Sequence, residues 1–462
     1  MGASAMLKTL FHQTGSDRLS AYKPERTEYR FLNNSMNKKL PLYAGFSRVD
    51  ITPAEPVGME LAGMPRLYPG ALGVLDPLSA RACYLECGKN RFLMIVCDIC
   101  LTDALAPHHE EVIKKLARRF SIPAKNIWIV ATHCHSSIGE TLWRAPTPFM
   151  AKVFSRYLDT LVPKLIQVGS EAVTGKQQVQ IGYGQTEIHD VAASRRVKIS
   201  DGTVVTGWGD GPSAPPGVKT VGRGIHDPEL GVILFKNLRG QPVGALLNYN
   251  SHIHTSPMQY FSAELAGYTC HLLEKKLKGV TAVYTNGAQG DTSLCANTKP
   301  FSRNPKQWTS DYLDGMHRMS RILVNGALRV VKRMAFERTA TMCLAEKRLP
   351  IDQWLTPATV LPITSYKPGA QEVLSGVSIN GMALIGQPEE MFVEFALALK
   401  KASPFPSTFV IGMNAPRNFY LPTTSAWEEG GYEPGFFLKP GSFEQATDEA
   451  IALLKRMHKK IQ

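Results

Sequence analysis

From Leu42 onward, short apolar runs alternate with longer stretches in which apolar residues recur every three to four positions. Arg91-Phe92-Leu93-Met94-Ile95-Val96-Cys97 and Asn126-Ile127-Trp128-Ile129-Val130-Ala131 are continuous apolar runs of strand length, and His108 to Phe120 between them has helical periodicity. Short runs bounded by polar residues read as buried strands, and a period near 3.6 reads as an amphipathic helix. The same reading predicts a helix over 149–168, a strand over 177–186, paired strands over 230–236 and 243–249, and a helix over 262–278. It continues with a strand over 280–284, a helix over 312–335, strands over 339–349 and 382–385, a helix over 389–401 and a last helix over 442–459. This rhythm predicts an α/β fold of mixed β-sheets flanked by helices.

Polar clusters fall where the strands end. They are Thr132-His133-Cys134-His135-Ser136, Ser251-His252-Ile253-His254-Thr255 and Gly287-Ala288-Gln289-Gly290-Asp291-Thr292-Ser293. In α/β sheets such ends open into the crevice that holds the ligand. Side chains at i and i+2 of an extended segment point the same way, so each His-x-His pair can aim two imidazoles at one ion. One such pair on a strand is more often structural. Two of them, far apart in sequence, point to a metal site assembled by the fold, and neutral imidazole is a common zinc ligand.

Composition narrows the class. The 462 residues are 44% hydrophobic and 20% charged, ordinary for a globular protein, and Lys plus Arg exceed Asp plus Glu by 13. That excess suits acidic substrates or an anionic membrane surface, where peripheral contact is compatible with it. No long basic run or aromatic-interleaved motif accompanies it, so no nucleic-acid partner is expected, and Lys455, Arg456, Lys459 and Lys460 read as a solvated helix face. No apolar stretch approaches the roughly 18 to 20 residues that span a bilayer, and the opening MGASAMLKTLFHQTGSDRLS has only a broken apolar patch before polar residues, so no secretory signal is expected. Met6 stands where an acylation motif needs Ser or Thr. The pair Cys97 and Cys100 lies in an apolar run, where cysteine packs as a small hydrophobe, and a reducing, cytoplasmic location is the expectation. Residues 1–41 read as a flexible basic extension and 42–462 as one domain. The Gly/Pro-rich stretch 207–224 reads as a long loop.

Several separate motifs carry a resemblance. Gly45-Phe46-Ser47-Arg48-Val49-Asp50-Ile51-Thr52-Pro53, Asp76-Pro77-Leu78-Ser79-Ala80-Arg81-Ala82, Thr132 to Ser136 and Gly287 to Ser293 together resemble the catalytic domain of neutral/alkaline, non-lysosomal ceramidases, over roughly Leu42 to Glu433. The immunoglobulin-like domain that follows it in well-known members has no counterpart in the sequence. The resemblance implies that domain's fold and a Zn2+ ion. It implies His133 and His252 as metal ligands, with Glu390 of Pro388-Glu389-Glu390 as the acidic ligand, although a Glu stands where the family has Gly. It implies Tyr420 of Phe419-Tyr420-Leu421-Pro422-Thr423 as the fourth ligand. His135 maps onto a catalytic neighbour of the ion, Ser293 onto the Ser needed for amide cleavage, and Arg195 onto a further site position, while His254 has no assignment. Leu294 and Cys295 replace the Pro and Asn that follow the Ser in the family.

The residues also have plainer readings. Glu389 or Glu390 can open the helix 389–401 beside its dipole, Tyr420 can be a packed aromatic, Asp291 can cap backbone amides, and Arg195-Arg196 can be a surface pair. Taken with the resemblance, they imply a zinc-dependent hydrolase of linear amide C–N bonds that acts on a small-molecule or lipid N-acyl substrate, a sphingolipid among them. Zinc-activated water attacks, and Ser293 serves as hydrogen-bond partner ahead of nucleophile because no adjacent base is visible. The same centre acting on a small polar amide, ester or sugar-derived substrate is the alternative, favoured by the polar, Gly-rich Gly207 to Ala214, which has only Trp208 as a large apolar residue. A metal-binding protein without turnover is the third reading, and the full set of site residues argues against it.

Overall fold

The structure is a computed structural model that describes residues 30–31, 39–62, 70–105, 108–138, 148–207, 219–253, 260–294, 305–350, 371–415, 420–435 and 440–462. Eight strands form the body of a nine-stranded sheet: β1 Leu40–Asp50, β2 Ser79–Cys87, β3 Asn90–Cys97, β4 Ile127–Ala131, β5 Gln177–Glu187, β6 Glu229–Asn237, β7 Pro242–Tyr249 and β8 Thr281–Asn286. Their order is β8-β7-β6-β5-β1-β2-β3-β4, with the short strand Thr339–Ala340 against β1. A five-stranded sheet orders Arg30–Phe31, β9 Met342–Pro350, β10 Gln371–Ile379, β11 Met382–Gly386 and β12 Ser407–Ile411. The helices are α1 His109–Phe120, α2 Pro148–Thr174, α3 Glu264–Lys276, α4 Pro305–Arg333, α5 Val393–Ala402, α6 Thr424–Glu429 and α7 Ser442–Ile461. None among the described residues is long and apolar enough to cross a membrane.

The apolar runs are explained by burial on both faces of a strand, which leaves no position for a polar residue. In β4, Ile127, Ile129 and Ala131 pack with Val112 and Leu116 of α1 and Leu161 and Leu165 of α2. Trp128 and Val130 turn the other way, into a core shared with Leu344, Val377, Leu384 and Phe409 of the second sheet. Along β6, Leu230, Val232 and Leu234 join Leu273 of α3 and Met319 and Leu323 of α4, while Ile233 and Phe235 enter the shared core. The far face of the second sheet packs under Phe395 and Leu399 of α5 and Leu453 and Leu454 of α7. The result is four layers: helices, sheet, sheet, helices.

Three neighbouring strand pairs are parallel and each is joined through a helix: β3 and β4 through α1, β7 and β8 through α3, β11 and β12 through α5. Parallel neighbours cannot be closed by a tight turn, so a crossover is obligatory. The carboxyl ends of these strands converge. Asn286 Nδ2 donates to Thr132 O at 2.5 Å, Ala131 N to Met413 O at 3.2 Å, Gly412 N to Asn286 O at 2.9 Å and Gln387 N to Ile411 O at 3.0 Å. β4 and β8 stand at opposite ends of the larger sheet's order. They meet because that sheet curls and the chain after β12 bridges them.

The expected elements over 108–120, 149–168, 177–186, 230–236, 243–249, 262–278, 280–284, 312–335, 339–349, 382–385 and 442–459 are present with shifted ends. The helix expected over 389–401 begins only at Val393. β1, β2, β10 and β12 have no counterpart among the expected strands: β2 carries Arg81 and Glu86 among its apolar residues, and β10 intersperses serine with aliphatics, which weakens the strand signal of both. Within the expected extension, Arg30–Phe31 pairs with Glu346 and Ala345 of β9. The rest of residues 1–38, together with 208–218, His254 and Cys295, lies outside the described residues.

Candidate metal centre

The first histidine loop begins where β4 stops. His133 has φ 58°, the left-handed region that a side chain with a Cβ adopts at a cost of about 1–2 kcal/mol. The pair therefore does not lie on an extended strand, as its i, i+2 spacing had suggested. Cys134 is turned away instead, its thiol 2.6 Å from Ser262 O, and the flanking rings converge with His133 Nε2 and His135 Nε2 3.2 Å apart. His133 Nδ1 donates to Cys100 O at 2.9 Å, which fixes the tautomer and leaves the Nε2 lone pair facing the site.

His252 arrives from the end of β7 and is buried. Its backbone N donates to Thr292 Oγ1 at 3.1 Å, and two asparagines on the same stretch fix the path. Asn248 Nδ2 donates to Val410 O at 2.8 Å, and Asn250 Nδ2 to Asp227 Oδ2 at 2.9 Å, while Asn250 Oδ1 accepts Ala288 N at 2.9 Å. His252 Nε2 then lies 3.1 Å from His133 Nε2 and 2.9 Å from His135 Nε2. Three ring nitrogens face one point.

Glu390 and Tyr420 come from the other sheet's side. Glu390–Met391 and Tyr420–Leu421 are two-residue strands paired in parallel, with Glu390 opposite Tyr420. Glu390 is thus not the opening residue of a helix; Gln387 bonds the Glu389 backbone N and O at 2.6 Å each and sets this short strand. Glu390 Oε2 is buried without a hydrogen-bond donor, 3.5 Å from His133 Nε2 and 3.5 Å from His252 Nδ1.

Arg195 is no surface residue: it has no exposed area. Its Nε donates to Glu433 Oε1 at 2.8 Å and its Nη2 to Gly290 O at 2.6 Å, and Nη1 stands 3.4 Å from His252 Nδ1. The guanidinium lies 5.2 Å from the Tyr420 ring centroid and 5.6 Å from that of Tyr432. Arg196 Nη1 takes the other Glu433 oxygen at 3.0 Å. Ser293 pairs with Ala193 in the short ladder just ahead of Arg195, and among the described residues no base hydrogen-bonds its hydroxyl. Asp291 does act as a cap, its Oδ1 accepting Val393 N of α5 at 2.9 Å, and burial with Glu394 nearby pushes its carboxyl well up.

The electrostatics favour a positive charge at the convergence. Burial pulls the His133 imidazole down, but the Glu390 carboxylate outweighs this and holds it well above its usual value. Burial raises the Tyr420 phenol and Glu390 adds to the rise, against the opposing Arg195. Burial also raises the Cys100 thiol, so it stays neutral and is a poor ligand beside the imidazoles.

A zinc donor set fits these residues. Nitrogen and oxygen ligands about 2.0–2.2 Å from a tetrahedral ion stand about 3.4 Å from one another. The 3.1 Å between His133 Nε2 and His252 Nε2 and the 3.5 Å from His133 Nε2 to the donor-less Glu390 carboxylate are close to that, and His133, His252 and Glu390 offer ligand atoms within 4.8 Å of one another. Sequence reasoning missed Tyr432, Glu433 and Gln387. Gly430-Gly431-Tyr432-Glu433-Pro434-Gly435 was the available signal, a turn sequence too glycine-rich to lack a tight backbone role.

Known proteins share this fold. The model of the neutral/alkaline non-lysosomal ceramidase N-terminal family matches residues 43–293. The neutral ceramidase of Pseudomonas aeruginosa has a similar structure, with TM-score 0.66 at 17% identity over 91% of this chain and 75% of that one. A ceramidase complexed with C2 gives TM-score 0.67 at 16% identity over 90% and 76%. No curated protein sequence matches.

Proposed function

The chain belongs to the neutral/alkaline non-lysosomal ceramidase family, and from that premise we propose a zinc-dependent hydrolase that cleaves the amide bond of an N-acyl sphingolipid. The observation that carries the metal reading is the meeting of three imidazole Nε2 atoms beside the buried, donor-less Glu390 Oε2. In this reading His133, His252, Glu390 and Tyr420 hold the ion. Bound there, zinc polarises a carbonyl and makes water ionise near neutral pH.

The protein's own groups do the rest. His135 is the one histidine of the three that is only partly buried, so it takes the proton of the attacking water and returns it to the departing amine nitrogen as the C–N bond breaks. Arg195 fixes the His252 face and the Gly290 carbonyl from behind. Ser293 offers its hydroxyl to the substrate, because an unassisted serine is a weak nucleophile.

Two measurements test this. Metal analysis of the purified protein is expected to find zinc that the His133→Ala variant lacks; a metal-free wild type indistinguishable from the variant would sink the proposal. With zinc present, a fluorogenic N-acyl-sphingosine in detergent should be turned over in preference to short-chain amides and esters. Turnover of the soluble substrates alone removes the sphingolipid assignment.

A further inference from the structure

The loop that carries His133 and His135 is gripped from outside the metal centre by one strand-to-helix corner, residues 260–264. Ser262 N donates to Ser136 O at 2.8 Å, Ser136 N donates to Glu264 Oε1 at 2.7 Å, and the Cys134 thiol donates to Ser262 O at 2.6 Å. The corner is itself tied down. Asp76 accepts Ser262 Oγ at 2.5 Å and Ala263 N at 2.8 Å, and Glu264 N donates to Ser262 Oγ at 3.0 Å.

Glu264 stands out on two counts. It has no exposed area, although an ionisable side chain is seldom fully buried without a specific role for its polar atoms. Its φ is 45°, left-handed like His133 at 58°, and such strain at side chains with a Cβ persists only where the surroundings over-determine it. The two strained residues sit on different elements, and the Glu264 carboxylate joins them through Ser136. A carboxylate at the start of α3 has a plain electrostatic benefit from the helix dipole, but that benefit needs no partner in a loop preceding α3 by more than a hundred residues.

We propose that Glu264, anchored by Asp76 through Ser262, is a positioning residue for the metal centre: its carboxylate holds the 132–136 loop in the left-handed turn that brings His133 and His135 to one point. The inference rests on the zinc reading above. Partners that orient ligands without touching the metal typically change affinity 10- to 100-fold when removed.

The test is zinc affinity by chelator competition, with hydrogen exchange of the metal-free protein read on a peptide covering 132–137. Glu264→Ala is expected to weaken zinc binding about 10- to 100-fold and to speed exchange in that peptide. Glu264→Gln keeps an oxygen at the same reach and is expected to stay within about threefold of wild type, since the hydrogen bond to Ser136 N survives. Glu264→Asp is one methylene short and should behave like the alanine variant. Unchanged affinity and exchange in Glu264→Ala overturns the proposal, as does a series in which aspartate rescues and glutamine does not, because charge and not reach would then be the agent. Should the alanine variant fail to fold, the glutamine and aspartate pair decides the question alone. A wild type that takes up no zinc, with the loop still loosened in Glu264→Ala, counts against the metal reading and leaves the brace standing.

Discussion

His133, His135 and His252 leave the ends of β4 and β7, strands buried on both faces by aliphatic side chains, whereas Glu390 and Tyr420 lie on two-residue strands beside the buried Arg195–Glu433 ion pair. The imidazole half is positioned by apolar layers that exclude water on either side of the strand, with Glu264 and Asp76 adding the last constraint. The carboxylate half is positioned by Arg195, Arg196 and Glu433, all of them buried, and by the Gln387 amide. The physical difference lies in how each fails. An apolar frame loses stability in proportion to the atoms removed, while a buried ion network that loses one member is left with an uncompensated charge.

Glu433→Ala should therefore have the largest effect. It strips the fully buried Arg195 guanidinium of its carboxylate, while Arg196 keeps Glu429 at 3.2 Å, and we expect a loss of about 3–5 kcal/mol in urea unfolding, the range for breaking a buried pair from one side. Ile129→Val, which trims the frame under the histidine loop, should cost only about 0.5–1.5 kcal/mol. Equal losses would mean that the two halves are held by the same means, and the contrast between them would fail.

The two halves also differ in how far the sequence reveals them. His133 and His252 are legible because a polar cluster after a continuous apolar run marks a strand end, and strand ends open into the crevice of an α/β sheet. Their convergence is legible only as chemistry. Nothing local foretells the left-handed turn at His133, which depends on Ser136 and the corner at Glu264. Glu390 and Tyr420 come from resemblance alone, since a strand of two residues leaves no periodicity and the Glu390–Tyr420 pairing is a long-range event. Arg195 reads as one of a surface pair because its partner, Glu433, lies 238 positions away. The α/β class is visible in the rhythm of runs, but the four-layer stacking is not, because β2 and β10 dilute their apolar residues with Ala, Ser and charge.

Glu390→Gln sharpens the comparison at the centre itself. The variant keeps the size of the side chain and removes the charge of the only candidate acidic ligand among the described metal-ligand groups near His252. Zinc affinity should fall more than about 100-fold, or about 2.7 kcal/mol, exceeding the loss expected for any positioning residue. The readout is the zinc-dependent rise in Tm, since a ligand bound only by the folded state stabilises by mass action. A variant whose Tm still rises with zinc as the wild type does would show that the imidazole half suffices, and the carboxylate half would lose its claim to the ion.

The smallest expected effect tests whether the imidazole half is free of ionic cost. Burial pushes the Asp76 carboxyl up from 3.8 to about 6, even though Ser262, Ala263 and Tyr268 donate to it. A carboxyl with a raised folded-state value holds its proton more tightly in the folded protein than in the unfolded chain. Between about pH 4 and pH 6 the folded state therefore binds the greater share of protons, and stability falls as pH rises through that window. A rise of that size bounds the effect at about 3 kcal/mol, and the partial exposure of Asp76 reduces this to roughly 1–2 kcal/mol. Asp76→Asn removes the titration, so the stability difference between variant and wild type should tilt toward the variant from pH 4 to pH 6 and be flat above. The acceptor that asparagine fails to supply to Ser262 adds a constant offset and leaves the tilt untouched. Denaturant midpoints measured across that range read the tilt directly. A difference that does not change with pH would show that Asp76 is charged at little expense, and the histidine loop would then rest on an anchor costing the fold nothing, unlike the buried ions behind Glu390.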